Sequence, residues 1–191
     1  MSMNTIILLN GVGSAGKSSI AKALQSITEQ PFLHVEMDGF LEMMPAKFRD
    51  HPDGLRFETR MDQGSPVTTV DTGKVARRVL NGMRLAVAAL ASSGNNMIVD
   101  EVIFGNKSHG ASHPLAEYQA MLKPYTFYIV GVFASLEVLE RRESDRGDRK
   151  IGLSRWQYDR VHEDMEYDFS VQTDDRSPLA CAEQIKAKLD L

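Results

Sequence analysis

The chain has 191 residues, of which 42% are hydrophobic and 25% charged, and carries a formal net charge of −4. That length supports one well-buried core rather than two ordinary domains, and no apolar run approaches the length of a bilayer span, so a single domain over 1–191 is expected and membrane insertion is excluded. The negative balance gives no general attraction to nucleic acid, and Cys181, the single cysteine, excludes an intramolecular disulfide and any paired-cysteine metal or redox motif. The N-terminus enters an apolar strand without a basic segment, a long apolar segment or a cleavage site, which predicts a cytoplasmic protein.

Ile6-Ile7-Leu8-Leu9 is a short continuous apolar run, the pattern of a strand buried on both faces. It leads into Gly11-Val12-Gly13-Ser14-Ala15-Gly16-Lys17-Ser18, which fits GxxxxGK[ST], the phosphate-binding P-loop. Ile20, Ala21, Leu24 and Ile27 then recur at helical spacing. The order is what the chemistry asks for. Glycines let backbone N–H groups curl around a polyphosphate, and the following helix presents its positive end to the same anion. Gly11 to Ser18, with Ser19, are therefore the nucleotide-binding candidates; Lys17 can neutralise the transferring phosphates and Ser18 can ligate Mg²⁺.

Phe32 to Val35 reads as a second strand that ends at Glu36-Met37-Asp38, and a short helix is expected from Gly39. Residues 50–70 carry Pro52, Gly54, Gly64 and Pro66 among charges and predict a long irregular excursion, about 39–70 in all, of the kind that binds substrate. Asp71 or Thr72 is expected to cap a long helix with Val75, Val79, Met83, Val87 and Leu90 on one face, ended by Gly94. Met97-Ile98-Val99 is a third strand closing on Asp100-Glu101, Tyr125 to Ala134 a fourth, and Tyr167 to Gln172 a fifth. His113-Pro114, Ser135 and Ser177-Pro178 read as helix starts, and a further helix is expected from Ser154 to about Glu166. This alternation predicts a three-layer α/β fold, a five-stranded parallel sheet with helices on both faces, and the phosphate loop after its first strand makes it a P-loop NTPase fold.

Three more features gain meaning from the P-loop. Asp100 follows an apolar strand, where a P-loop protein keeps the carboxylate that holds Mg²⁺, although Glu101 next to it leaves the choice open. Asp38, at the end of the second strand, is placed to orient an acceptor hydroxyl and take its proton, or to cap the next helix. The segment of about 141–152 holds Arg141, Arg142, Arg146, Arg149 and Lys150 around Gly147, which suits a lid. Arg142, Arg146 and Arg149 are the favoured partners of the phosphates. Ligands of open parallel sheets bind beyond the carboxyl ends of the strands, so the P-loop, Asp38 and Asp100 are expected to converge on one edge.

Taken together, Ile7 to Ser18, Met37-Asp38-Gly39-Phe40-Leu41-Glu42-Met43-Met44-Pro45, Ile98 to Val102, Arg142-Glu143, Arg146-Gly147-Asp148-Arg149, His162-Glu163 and Glu166-Tyr167-Asp168 resemble the chloramphenicol phosphotransferase family over nearly the whole chain. The resemblance implies a P-loop kinase-like fold, close to nucleoside and adenylate kinases, and ATP- and Mg²⁺-dependent phosphorylation of a hydroxyl on an amphenicol antibiotic, at its 3-hydroxyl, with Asp38 as general base. It also implies an acceptor pocket walled by the 50–70 region and by Met37, Met43 and Met44. The chain departs from the family in carrying Asp100-Glu101 where the family tends to have two aspartates. Arg49, Arg56 and Arg60 in the acceptor region also leave an anionic acceptor open. A small-molecule hydroxyl acceptor is the expected partner, and homo-oligomerisation is left open. Two further readings stand beside this one: another small-metabolite kinase of the gluconate or shikimate type, and a nucleotide-binding regulatory module without transfer activity.

Overall fold

The structure, a computed structural model, describes residues 4–105, 113–147 and 150–191. In chain order the elements are β1 (Thr5–Asn10), α1 (Lys17–Ile27), β2 (Phe32–Glu36), α2 (Met37–Glu42), β3 (Leu55–Asp62), β4 (Ser65–Thr72), α3 (Lys74–Ser92), β5 (Asn96–Glu101), α4 (Pro114–Met121), β6 (Thr126–Phe133), α5 (Leu136–Arg146), α6 (Leu153–Val161), β7 (Phe169–Gln172) and α7 (Pro178–Leu189). A short 3₁₀ turn occupies Ala46–Phe48. The main sheet is five-stranded and parallel, in the order β2-β5-β1-β6-β7.

The apolar run of β1 follows from burial on two faces. Ile7 and Leu9 join one core cluster with Ile20, Ala21 and Leu24 of α1 and Cys181, Ala182 and Ile185 of α7. Ile6 and Leu8 join the other, with Met83 and Val87 of α3 and Tyr118 of α4. Side chains of a strand alternate in direction, so a strand roofed on both sides must be apolar at every position. All four of these β1 residues are 0% exposed. The three-layer α/β fold with its five-stranded parallel sheet is thus as expected from the sequence. Among the described residues no helix is long and apolar enough to cross a membrane.

Five local expectations need correction. Residues 50–70 are not an irregular excursion: β3 and β4 pair antiparallel from Leu55↔Thr72 to Asp62↔Ser65 as a separate hairpin. Its two-residue loop is Gln63-Gly64, both at positive φ (48° and 80°), the geometry that matches strand twist in a tight hairpin. Neither Asp71 nor Thr72 caps α3, because both lie in β4; the cap position is Gly73, with no side-chain cap. The chain there runs so close to the preceding loop that a Cβ on Gly73 would meet Pro52 O at 2.1 Å. That contact feeds the helix start, since Gly73 N–H donates to Gly54 O and Val75 N–H to Asp53 O, both at 2.7 Å. The helix after β2 begins at Met37 rather than at Gly39, so Asp38 sits in its first turn. The helix expected over 154–166 runs Leu153–Val161 and stops before Asp164, which adopts φ 53°. The last strand is Phe169–Gln172, two residues shorter at its start than expected. Gly94, at φ 91°, does follow α3, and Ser135 and Ser177 accept the cap hydrogen bonds of α5 and α7.

The hairpin also braces the segment between α5 and α6. Thr68 N–H donates to Gly152 O at 3.0 Å and Thr68 Oγ1 to Ile151 O at 2.6 Å. A Cβ on Gly152 would meet Pro66 O at 2.4 Å.

Candidate active site

The P-loop joins β1 to α1 as a closely fitted turn. Gly11 packs against β6, where a Cβ would meet Val132 O at 2.4 Å, while Ser14 (φ 66°) and Gly16 (φ 97°) take the left-handed conformations that fold the loop back on itself. Val12 and Ala15 are 2% and 1% exposed and send their side chains into the core, leaving the loop's inner surface to backbone groups. Lys17 Nζ donates to Gly11 O at 2.8 Å and to Val12 O at 3.2 Å and stands 3.8 Å from Asp100 Oδ1.

Asp100 and Glu101 leave β5 in opposite directions. Asp100 Oδ2 accepts a 2.5 Å hydrogen bond from Ser18 Oγ. Burial pushes its carboxyl pKa up, but Lys17, His34 and Ser18 outweigh that and hold it below the usual value, so the group is ionised. Glu101 faces away from the P-loop. It accepts from Tyr118 Oη at 2.8 Å and lies 3.4 Å from Arg84 Nη1, while Arg84 Nε donates to Glu117 at 2.6 Å. Burial pushes the Glu101 carboxyl up, and the Tyr118 hydrogen bond and Arg84 charge offset only part of it. Of the two acidic groups, Asp100 alone lies against Ser18, and the Ser18 hydroxyl and Asp100 carboxylate are hard oxygen donors of the kind Mg²⁺ requires.

The structure brings most of the sequence-derived candidates to one place. Gly13, Ser14, Gly16, Lys17, Ser18 and Ser19 line a cavity with Asp38, Asp100 and Arg146. A second cavity of about 380 Å³ opens on the outer side of Ser14 to Ser19 and is lined by Arg142, Arg146, Thr173 and Arg176. Arg142 is anchored there, donating from Nη1 to Thr173 Oγ1 at 2.9 Å and from Nη2 to Thr173 O at 2.7 Å. Arg149 lies outside the described residues.

A third cavity, of about 560 Å³, adjoins the first and shares Met37, Asp38 and Val102 with it. Its walls are mostly apolar, from Leu41, Leu55, Phe57, Val70, Leu80 and Phe104, with Arg84, Glu101 and Glu117 also lining it. The hairpin therefore contributes to this cavity, but the methionines divide. Met37 lines it, Met43 is 66% exposed at the end of α2, and Met44 is 4% exposed in the core. Arg49, Arg56 and Arg60 are exposed and absent from the cavity's lining, and Arg56 pairs with Glu58 at 2.6 Å.

Several contributors were not read from the sequence. His34 and Glu36 stand beside Asp100; their alternate spacing on a strand that ends next to the P-loop was the available signal. Gln157 Oε1 accepts from Gly13 N–H at 2.8 Å, and Ser154 Oγ donates to Gly13 O at 3.2 Å, so α6 holds the P-loop backbone from across the site. Glu143, 1% exposed, accepts from Gly152 N–H and Ser154 N–H, both at 2.7 Å, and so serves as the missing cap of α6. No local pattern marks these. The His162 and Tyr167 of the family-like stretch are packing groups: His162 stacks on Phe133 at 3.8 Å and bonds Tyr167 Oη at 2.7 Å, and Asn10 Nδ2 donates to that same oxygen at 3.1 Å.

A P-loop between a central parallel strand and its helix, with a carboxylate on the neighbouring strand end, defines a P-loop nucleotide-binding protein. The structure matches Mycobacterium tuberculosis APS kinase in complex with AMPPNP and APS at a TM-score of 0.65 and 16% identity over 100% of both chains. It matches a gluconokinase from Sinorhizobium meliloti at a TM-score of 0.60 and 14% identity, over 98% of this chain and 91% of that one. At such identities these likenesses speak for the fold. A family model described as chloramphenicol phosphotransferase-like protein matches residues 4–190, and the chain belongs to that family. Two Mycobacterium tuberculosis proteins, from strains CDC 1551 and H37Rv and each provisionally named an O-phosphotransferase, are 31% identical over 173 residues, 88% of this chain and 74% of theirs. The protein is a small-molecule kinase.

Proposed function

We propose that this kinase transfers the γ-phosphate of ATP to a hydroxyl of an apolar small molecule in the cytoplasm, in the manner of a chloramphenicol 3-O-phosphotransferase. The observation that carries the reading is Asp38, which lines both the P-loop cavity and the larger apolar one. A carboxylate at that junction faces phosphate on one side and acceptor on the other.

In this mechanism the backbone N–H groups of the P-loop and Lys17 bind the β- and γ-phosphates. Asp38 orients the acceptor hydroxyl and takes its proton as the oxygen forms a bond to the γ-phosphorus; the bond from that phosphorus to the bridging oxygen breaks and ADP leaves. Arg146, beside Ser14 to Ser19, offsets charge developing on the phosphates, and Arg142 lines the nucleoside side from its anchor on Thr173. Ser18 and Asp100 would hold Mg²⁺, which supplies charge neutralisation on the phosphates. The rate comes from positioning and electrostatics.

The largely apolar walls favour an uncharged, partly aromatic acceptor over an anionic one: none of Arg49, Arg56 and Arg60 reaches the cavity, and of the two arginines that do line it Arg84 is paired with Glu101 and Glu117 while Arg77 donates to Thr72 O. Incubation with Mg·ATP and a hydroxyl panel of chloramphenicol, gluconate and shikimate, read by mass spectrometry, tests the reading. A product 80 Da heavier than chloramphenicol, the mass of one added HPO₃ (about 80 by elementary composition), is expected. A phosphorylated sugar acid instead would overturn the acceptor class, and nucleotide binding with no product from any hydroxyl would leave a regulatory module.

A further inference from the structure

Ser18 and Asp100 offer only oxygen to a cation, yet an imidazole stands at the same carboxylate. His34 and Glu36 are two residues apart on β2 and so leave the strand on one face. β2 pairs with β5 in parallel with Glu36 beside Asp100 and His34 beside Ile98. Register thus gathers one imidazole and two carboxylates at the carboxyl end of the sheet.

His34 Nε2 lies 3.7 Å from Asp100 Oδ2, and His34 Nδ1 lies 3.6 Å from Glu36 Oε1, both too long for hydrogen bonds. The imidazole is nine-tenths buried, its side chain 9% exposed, and Nε2 has no hydrogen-bond partner. A buried polar atom without a partner is costly, and this one is aimed at a carboxylate. One ligand atom from each of His34, Glu36 and Asp100 lies within 4.8 Å of the others. Donors bound about 2 Å from a common ion stand about 3 to 4 Å apart, so small side-chain adjustments close the set around one cation.

We propose that His34, Glu36 and Asp100 form a binding site for a transition divalent cation of the zinc class, so that an imidazole selects the cation at the end of the P-loop sheet. Mg²⁺ is hard and takes oxygen in near-ideal octahedral geometry, whereas imidazole suits softer first-row ions. The site shares Asp100 with the proposed phosphate-side cation site and is independent of the acceptor's identity.

The test is calorimetric titration of the nucleotide-free protein with Zn²⁺, Mn²⁺ and Mg²⁺ separately. One equivalent of Zn²⁺ is expected to bind at least about 100-fold more tightly than Mg²⁺, with Mn²⁺ between them. His34→Gln is expected to weaken Zn²⁺ binding at least about tenfold and to leave Mg²⁺ binding unchanged. Glu36 is at the rim, with a side chain 38% exposed, so Glu36→Gln keeps the fold and is expected to weaken Zn²⁺ binding by a similar factor if buried His34 proves intolerant of change. ATP binding, followed in parallel with chelator present, is expected to survive in both variants. Absence of saturable Zn²⁺ binding in a protein that still binds ATP overturns the proposal and leaves the kinase reading untouched, as does equal Zn²⁺ affinity in the wild type and both variants.

Discussion

Ser18 Oγ and Asp100 Oδ2 are 2.5 Å apart, which ties the first turn of α1 to the end of β5 at the floor of the phosphate cavity. The contact separates two neighbouring carboxylates, one turned to the P-loop and one to Tyr118 and Arg84. Replacing Asp100 by Asn keeps the shape and removes the charge facing Lys17. Transfer is expected to fall by about 100-fold or more, while ATP binding measured with chelator is retained or tightened. An undiminished turnover in Asp100→Asn would remove this group from the cation site.

Asp38→Asn is expected to lower kcat by about two to four orders of magnitude with little change in the KM for ATP, as follows from loss of a proton acceptor rather than of a nucleotide contact. Steady-state kinetics with the phosphorylated acceptor as readout decide it. A loss confined to the KM for the acceptor would make Asp38 a binding group alone.

Glu143 is a buried carboxylate whose oxygens accept from Gly152 N–H and Ser154 N–H. Glu143→Ala strands both donors and is expected to cost about 2 to 4 kcal/mol in urea denaturation, with Glu143→Gln losing less because one acceptor oxygen stays. The same variant is expected to raise the KM for ATP, since Ser154 and Gln157 of α6 hold Gly13. Stability equal to wild type in Glu143→Ala would show that the two donors find other partners.

His162 has its pKa pushed down to about 4, by burial first and the Lys17 charge second. Above the ordinary histidine value of 6.5 the ring is neutral in folded and unfolded chains alike. As pH falls from about 6.5 to about 4 the unfolded chain takes the proton first, so stability present above that window is lost within it, by about 1 to 2 kcal/mol after allowance for partial exposure. Denaturation midpoints measured at both ends of the window for wild type and His162→Phe should show a smaller fall in the variant. Parallel curves would exclude His162 as the source.

Gly11→Ala would bring a Cβ to 2.4 Å from Val132 O, a backbone atom with no room to yield. A destabilisation of about 2 kcal/mol or more is expected, together with weaker ATP binding, in thermal melts and nucleotide titrations.

Much of the site was legible because its signals are local. The Gly11 to Ser18 pattern, the apolar strand before it, and acidic residues closing two later apolar strands can each be read within a window of about ten residues. Gly11 itself was read as a phosphate-loop glycine, but the structure shows that its missing Cβ serves the contact with β6. The 50–70 segment was misread because its prolines and glycines outweighed the Gln63-Gly64 turn, whose strands have no large apolar face to announce them. Gly73 was missed as a cap because its role depends on Pro52, which lies across a turn.

By itself, the sequence determined the three-layer parallel fold and the place of the phosphate loop, because apolar runs, glycine spacing and helix caps act over a few residues, and its family resemblance carried the kinase class. Only the tertiary structure decided which carboxylate faces Ser18, that Asp38 stands between two cavities, and that His34 and Glu36 join Asp100. Those facts depend on strand order and register, which are set by the packing of residues more than 60 positions apart, as Glu36 beside Asp100 shows.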